Sequence, residues 1–178
     1  MKTLTLLRHA KSSWNDVTER DFERPLNARG RRAAQTIGRE MLSLGLSFDQ
    51  VLASPATRVV ETLREVEGGY GRELGTHFDK RIYLASTDTL LEIVQAADDQ
   101  TRSVLLVGHN PGLESLVMLL AGDSPLRAEV AVKYPTATLA ELSFECESWT
   151  DVRQGSGNLA RFIRPRDLDP ELGPDEES

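Results

Sequence analysis

Apolar residues follow two rhythms along this chain, and the rhythms alternate. Short, largely apolar runs, Leu4-Thr5-Leu6-Leu7, Val51-Leu52-Ala53 and Val104-Leu105-Leu106-Val107, read as buried strands. Between them apolar side chains recur every three or four positions. Ala33, Ile37, Met41 and Leu44 make one such stripe, entered from Asn27 as N-cap and stopped at Gly45. Val59, Leu63 and Val66 make a second, expected to start from Ser54 as cap with Pro55 as first helical residue, and to break at Gly68-Gly69. Leu90, Leu91, Ile93 and Val94 form a third, capped by Ser86 or Thr87. Leu113, Leu116, Val117 and Leu120 form a fourth, with Asn110 as N-cap, Pro111 as first residue and Gly122 as its end. Leu74 to Phe78 is a further strand candidate, and the chain closes on two more, Thr138 to Phe144 and Leu159 to Ile163, at a sheet edge. Strands alternating with amphipathic helices predict an α/β fold, a three-layer αβα arrangement around a mixed, mostly parallel central sheet.

Length and composition narrow the class. A chain of 178 residues, 39% hydrophobic and 28% charged, can bury one domain-sized core, expected over residues 1–166. From Asp167 to Glu177 there are six acids and no base. Residues 167–178 are therefore expected to be a solvated, disordered tail, with an acidic arm for a partner as the alternative. The net charge of −7 argues against non-specific binding to nucleic acid or to an anionic membrane. No apolar run approaches the roughly 18 residues that span a bilayer. Cys146 is the only cysteine, so no internal disulfide can form, and Met1-Lys2-Thr3 does not open a secretory signal. The expected location is the cytoplasm.

Three of the predicted strands end in polar residues of related character. Arg8, His9 and Lys11 follow the first, Arg58 lies in the first helical turn after the second, and His109 follows the central one. In open parallel sheets the carboxyl ends of the strands border the ligand crevice. Arginine presents a planar fork of donors that matches an oxyanion, and imidazole serves as nucleophile or donor, so a phosphoryl group is the natural guest. The same set would hold a carboxylate or sulfate without reacting.

The motifs around these residues narrow the reading. Leu7-Arg8-His9-Ala10, Ser54-Pro55-Ala56-Thr57-Arg58 with Glu61-Thr62, and Gly108-His109-Asn110-Pro111 resemble the signatures of the histidine phosphatase superfamily, relatives of phosphoglycerate mutase. The stretch Arg8-His9-Ala10-Lys11-Ser12-Ser13-Trp14, with Asp21-Phe22-Glu23-Arg24-Pro25-Leu26, is similar to the SixA-type phosphohistidine phosphatase branch. That resemblance implies a phosphoglycerate mutase-like fold and a metal-independent phosphatase with no cofactor. His9 would be the nucleophile that becomes transiently phosphorylated, and Arg8, Arg58 and His109 would hold the phosphoryl oxygens. It implies a phosphorylated protein, carrying phosphohistidine in a signalling context, as substrate and inorganic phosphate as product. A small phosphomonoester or nucleotide is the alternative substrate, and a non-catalytic phospho-ligand module the alternative class.

The chain departs from the common pattern in two places. Ala10 stands where most of the superfamily has glycine, an exchange familiar in the SixA-like branch. No glutamate resembling the usual proton donor is found in Asp79-Lys80-Arg81-Ile82-Tyr83-Leu84. Without that acid, substrates with a good leaving group are favoured, and a phosphoramidate qualifies because its imidazole leaves protonated. Asp21 is the candidate for a substitute acid or leaving-group contact, Arg24 for a substrate contact, and Lys11 for the pocket rim. Trp14 is expected to pack within its loop, His77 to be structural, and Glu61 and Thr62 to hold the helix that presents Arg58. Thr136 is within reach of a pocket by sequence position alone, and Cys146 is expected to be an inert thiol.

Overall fold

A computed structural model describes residues 1–14 and 20–173 of the chain. The six strands are β1 (Lys2–Arg8), β2 (Gln50–Ala53), β3 (His77–Phe78), β4 (Ser103–Gly108), β5 (Leu139–Phe144) and β6 (Asn158–Ile163). They form one sheet in the order β3-β2-β4-β1-β5-β6. The first four of that order run parallel, while β5 is antiparallel to β1 and β6 to β5. The predicted mixed, mostly parallel αβα fold is the one observed.

Alternation along the central strands sorts their side chains between two helical layers. Leu4, Leu6, Val104 and Leu106 face one layer, built on α3 (Thr87–Gln95), α4 (Gly112–Leu120) and α5 (Pro125–Val132). Leu7, Leu105 and Val107 face the other, built on α1 (Ala28–Ser43) and α2 (Thr57–Tyr70). The two helices of that second layer approach closely: a Cβ on Gly38 would stand 2.2 Å from the Val66 carbonyl oxygen. The start of α1 is pressed as tightly onto the segment that follows β1, since a Cβ on Gly30 would stand 2.1 Å from the Lys11 carbonyl oxygen. Packing of α1 thus holds the Arg8–Lys11 segment in place.

Several boundaries differ from the sequence reading for local reasons. Asn27 caps α1 as expected, its Oδ1 accepting from the Gly30 N–H at 2.8 Å, and Gly45 follows the helix in the left-handed region at φ 68°. Ser54 does not cap α2, which begins at Thr57 with no side-chain cap; the Ser54 hydroxyl is engaged by His109. Nor does Gly68-Gly69 end that helix, which runs to Tyr70 and stops at Gly71 with φ 85°. Gly69 is instead a contact point, where a Cβ would lie 2.2 Å from the Gln35 carbonyl oxygen of α1. The strand expected over Leu74 to Phe78 is reduced to His77 and Phe78.

On the other layer, α4 starts at Gly112 rather than Pro111, while Asn110 Oδ1 still accepts from the Glu114 N–H at 3.2 Å. Helix α5 was not legible in the apolar spacing, although Ser124 caps it and Pro125 opens it. Residues 167–173 are not a solvated tail. Pro165–Leu168 forms a short helix, α6, Leu172 is buried against the α1 layer, and Asp169 and Glu171 both pair with Arg32 of α1. The apolar Leu168 and Leu172 spaced between the acids supply that anchorage. The expectation for residues 174–178 lies outside the described residues. Among the described residues no helix is long and apolar enough to cross a membrane.

Candidate active site

Register brings the three polar strand ends together. Arg8 pairs with Gly108 and Ala53 with Val107, so His9, Ser54 and His109 leave the sheet at the same edge. The first turn of α2 adds Arg58. All four of the residues expected to act on the phosphoryl group, Arg8, His9, Arg58 and His109, are buried and line one cavity of about 390 Å³. Asp21, Arg24 and Lys11 line it too.

His9 is fixed through one ring nitrogen. Its Nδ1 lies 2.8 Å from the Ala10 carbonyl oxygen, which can only accept, so Nδ1 carries the proton and Nε2 bears the free lone pair. The backbone around it is held by the Gly108 carbonyl, which accepts from the His9 N–H at 3.0 Å, and by Thr62 Oγ1, which accepts from the Ala10 N–H at 2.9 Å. Thr62 in turn donates to the Arg58 carbonyl at 2.6 Å, tying the histidine segment to the helix that carries Arg58. Glu61 Oε1 accepts from the Leu26 N–H at 2.8 Å and fastens the far end of the following loop. Thr62 thus ties down the helix that presents Arg58, as expected of it, while Glu61 holds the Leu26 backbone.

The two arginines are positioned from different sides. Arg8 Nη1 donates to the Tyr134 carbonyl at 2.9 Å. Arg58 Nη1 donates to the Asp21 carbonyl at 2.7 Å, and its Nη2 donates to Asp21 Oδ2 at 3.0 Å and to His109 Nδ1 at 3.3 Å. A guanidinium cannot accept, so His109 Nδ1 is unprotonated and Nε2 donates to Ser54 Oγ at 2.8 Å. The histidine rings stand 5.3 Å apart.

Burial, reinforced by the adjacent guanidinium groups, keeps both histidines neutral. His9 is held well below its ordinary value, mainly by burial and then by Arg8, His109 and Arg58, against the opposing pull of the Ala10 carbonyl. Burial and then Arg58 bring His109 down to about 3. In the unfolded chain both titrate near 6.5. Below that pH the unfolded state takes up protons that the folded state refuses, so stability falls as pH drops below about 6.5, for His109 down to about 3. The slope is about 1.4 kcal/mol per pH unit for each histidine. Denaturant midpoints measured from pH 7.5 to pH 5 should fall accordingly, and His109→Gln should remove one histidine's share of the slope. A slope unchanged in that variant would contradict the assignment.

Asp21 is gripped from three directions. Arg24 Nε and Nη2 donate to Oδ1 at 3.2 and 3.1 Å, and Tyr83 and Arg58 donate to Oδ2 at 2.5 and 3.0 Å. Partial burial pushes the carboxyl upward, but the hydrogen bond from Tyr83 and the charge and hydrogen bonds of Arg58 and Arg24 outweigh it and hold it at about 2. Asp21 is thus held as a carboxylate near neutral pH, in place to meet a leaving group at the cavity. Arg24 also donates to Ser12 Oγ at 2.5 Å.

A family profile described as histidine phosphatase superfamily (branch 1) matches residues 4–83. An uncharacterized protein of Mycobacterium tuberculosis is 32% identical over 90% of this chain and 100% of its own length. A crystal structure assigned to the phosphohistidine phosphatase SixA of Agrobacterium tumefaciens is 30% identical, with a TM-score of 0.77 over 92% of this chain and 98% of that one. The chain belongs to the histidine phosphatase superfamily. Within it, this phosphatase falls in the SixA-type branch. A second structure so assigned, from Nakamurella multipartitia, is 28% identical with a TM-score of 0.75 over 92% of this chain and 96% of that one.

Three residues of this histidine phosphatase's site escaped sequence reasoning. Ser54 accepts from His109 Nε2 and holds that ring in place, but its Ser-Pro pair also reads as a helix start. Tyr83 stands edge-on to His109 at 5.4 Å and donates to Asp21, with no motif to mark it. Tyr134 contributes only a carbonyl, which any residue would supply. Thr136 does line the cavity. Trp14, expected to pack in its loop, is instead 60% exposed at the cavity, one face stacked on the Arg24 guanidinium. His77 is exposed on β3 and does not line the cavity, and burial raises the pKa of the half-buried Cys146 thiol. Among the described residues no group of three or more His, Cys, Asp or Glu is placed to hold a metal ion.

Proposed function

We propose that this phosphatase hydrolyses phosphohistidine on a protein partner, with His9 as the covalent acceptor. The observation that carries the reading is the His9 Nδ1 bond to the Ala10 carbonyl, because it leaves Nε2 as a neutral nucleophile among cations. Nε2 attacks phosphorus, the bond from phosphorus to the substrate nitrogen breaks, and its electron pair stays on that nitrogen. A substrate imidazole already protonated on its other nitrogen then departs neutral. Arg8 and Arg58 neutralise the phosphoryl oxygens as charge builds on them. Water next attacks the phosphorus on His9, releasing inorganic phosphate and returning the lone pair to Nε2.

Support for a nitrogen leaving group comes from Asp21. An ionised carboxylate cannot protonate an alkoxide, whereas it accepts a hydrogen bond from the N–H of a departing imidazole. Arg24 and Lys11 would meet the substrate at the same mouth of the cavity. Wild type is expected to turn over a phosphohistidine protein and free phosphohistidine at least tenfold faster than a panel of alkyl phosphomonoesters. Turnover confined to the monoesters would overturn the substrate assignment; phosphate binding without turnover of any compound would favour a binding module.

A further inference from the structure

We propose that Trp14, Phe22 and Leu84 form an apolar docking rim that reads the residues flanking the phosphorylated side chain of a protein substrate. This rests on the protein-substrate reading above and adds a preference for apolar flanks. Trp14 and Leu84 line the cavity directly and are 60% and 56% exposed. Phe22, 38% exposed, stands edge-on to Tyr83 with ring centroids 5.0 Å apart. Scattered exposed hydrophobics need no explanation, but several gathered at one functional mouth mark an interaction surface.

The rim is braced rather than loose. The Arg24 guanidinium carbon lies 3.5 Å from the centre of the Trp14 ring, and Arg24 is anchored to Ser12 and Asp21. Tyr83, which backs Phe22, is anchored to the same Asp21. One carboxylate therefore ties both aromatic posts to the arginine at the base of the cavity.

Leu84 adds an independent sign. Its φ of 49° lies in the left-handed region, where a leucine is strained by about 1 kcal/mol or more and glycine or asparagine would rest. A leucine so placed is 56% exposed at the mouth of the cavity. Strained backbone of this kind clusters at active sites and ligand clamps.

The occupant is a protein segment with apolar residues beside its phosphorylated side chain. A small phosphorylated metabolite would be satisfied by the cationic base and leave the rim in water. A polypeptide bearing the phosphoryl group brings its flanking residues against Trp14 and Leu84, because both line the cavity that takes the phosphoryl group.

Binding separates this claim from catalysis. In the His9→Ala background, affinities are measured for two chemically phosphorylated phosphohistidine peptides of equal length and charge, one flanked by Leu and Phe, the other by Ser and Gly. The apolar-flanked peptide should bind at least tenfold tighter. Adding Leu84→Gly, which also relieves the left-handed strain, or Trp14→Ala should bring that ratio below twofold while inorganic phosphate affinity moves less than twofold. Absence of a flank preference, a preference kept in both double variants, or a parallel loss of phosphate affinity would each overturn the rim. Wild-type turnover is read separately: peptides bound with the flank preference but never hydrolysed would contradict the phosphohistidine reading and leave the rim standing.

Discussion

His9→Ala should lower kcat by roughly six orders of magnitude, the scale seen when a covalent nucleophile is removed. The substitution takes away the only unprotonated nitrogen of the His9 ring and leaves the cationic walls of the cavity in place, so inorganic phosphate should still bind within a few-fold of wild type. Its structural cost is modest. The Ala10 carbonyl loses its donor, worth about 1–2 kcal/mol when such a group is buried, while a buried imidazole that resists protonation is also removed. Activity assayed beside a denaturation curve separates the two effects. Loss of activity in proportion to unfolding would point to a structural role, whereas a folded, phosphate-binding and inactive protein is the expected outcome.

Arg58→Ala comes next in expected size, with kcat/KM falling by about 10²- to 10³-fold, the usual loss for one preorganised donor to a developing oxyanion. Arg58 also meets the Asp21 carbonyl, the Asp21 carboxylate and His109 at once. Arg58→Lys should therefore recover little, because a point charge cannot reproduce a planar fork. The variant has a pH signature. Asp21 is held at about 2, below its unfolded value near 3.9, so it stabilises the fold above the unfolded value and that contribution is lost as pH falls toward about 2. Without Arg58 part of the contribution disappears, and the stability gap between variant and wild type should narrow as pH falls through this window. A gap that widens on acidification would mean that Asp21 does not depend on Arg58. Equal kcat/KM in Arg58→Ala and wild type would remove Arg58 from the phosphoryl clamp.

Much of this site was legible before any coordinates because its chemistry sits at strand ends. A strand is marked by its apolar run, so the residue after it is marked too, and His9 and His109 were placed by Leu4–Leu7 and Val104–Val107 alone. The layers followed from the same alternation. What escaped depends on contacts between distant segments. Ser54 has two plausible employers, the helix after it and the histidine on a neighbouring strand, and only proximity decides for His109. Gly69 looks like a helix stop until α1 is seen pressing its Gln35 carbonyl against it. The acids after Asp167 suggested solvent, but the pairing of Asp169 and Glu171 with Arg32 and the burial of Leu172 depend on a helix more than a hundred residues earlier. Tyr83 illustrates the limit best: it touches both Asp21 and His109, yet it lies outside every motif.

The central claim is that the phosphoryl group passes through His9. Rapid mixing of the phosphatase with a phosphohistidine substrate, quenching within the first turnover and mapping the modified peptide by mass spectrometry tests it most directly. An acid-labile phosphoryl group is expected on His9, forming before free phosphate appears and absent from His9→Ala. Free phosphate released in the first turnover with no phosphoryl group on His9, or with the group on another residue, would contradict it.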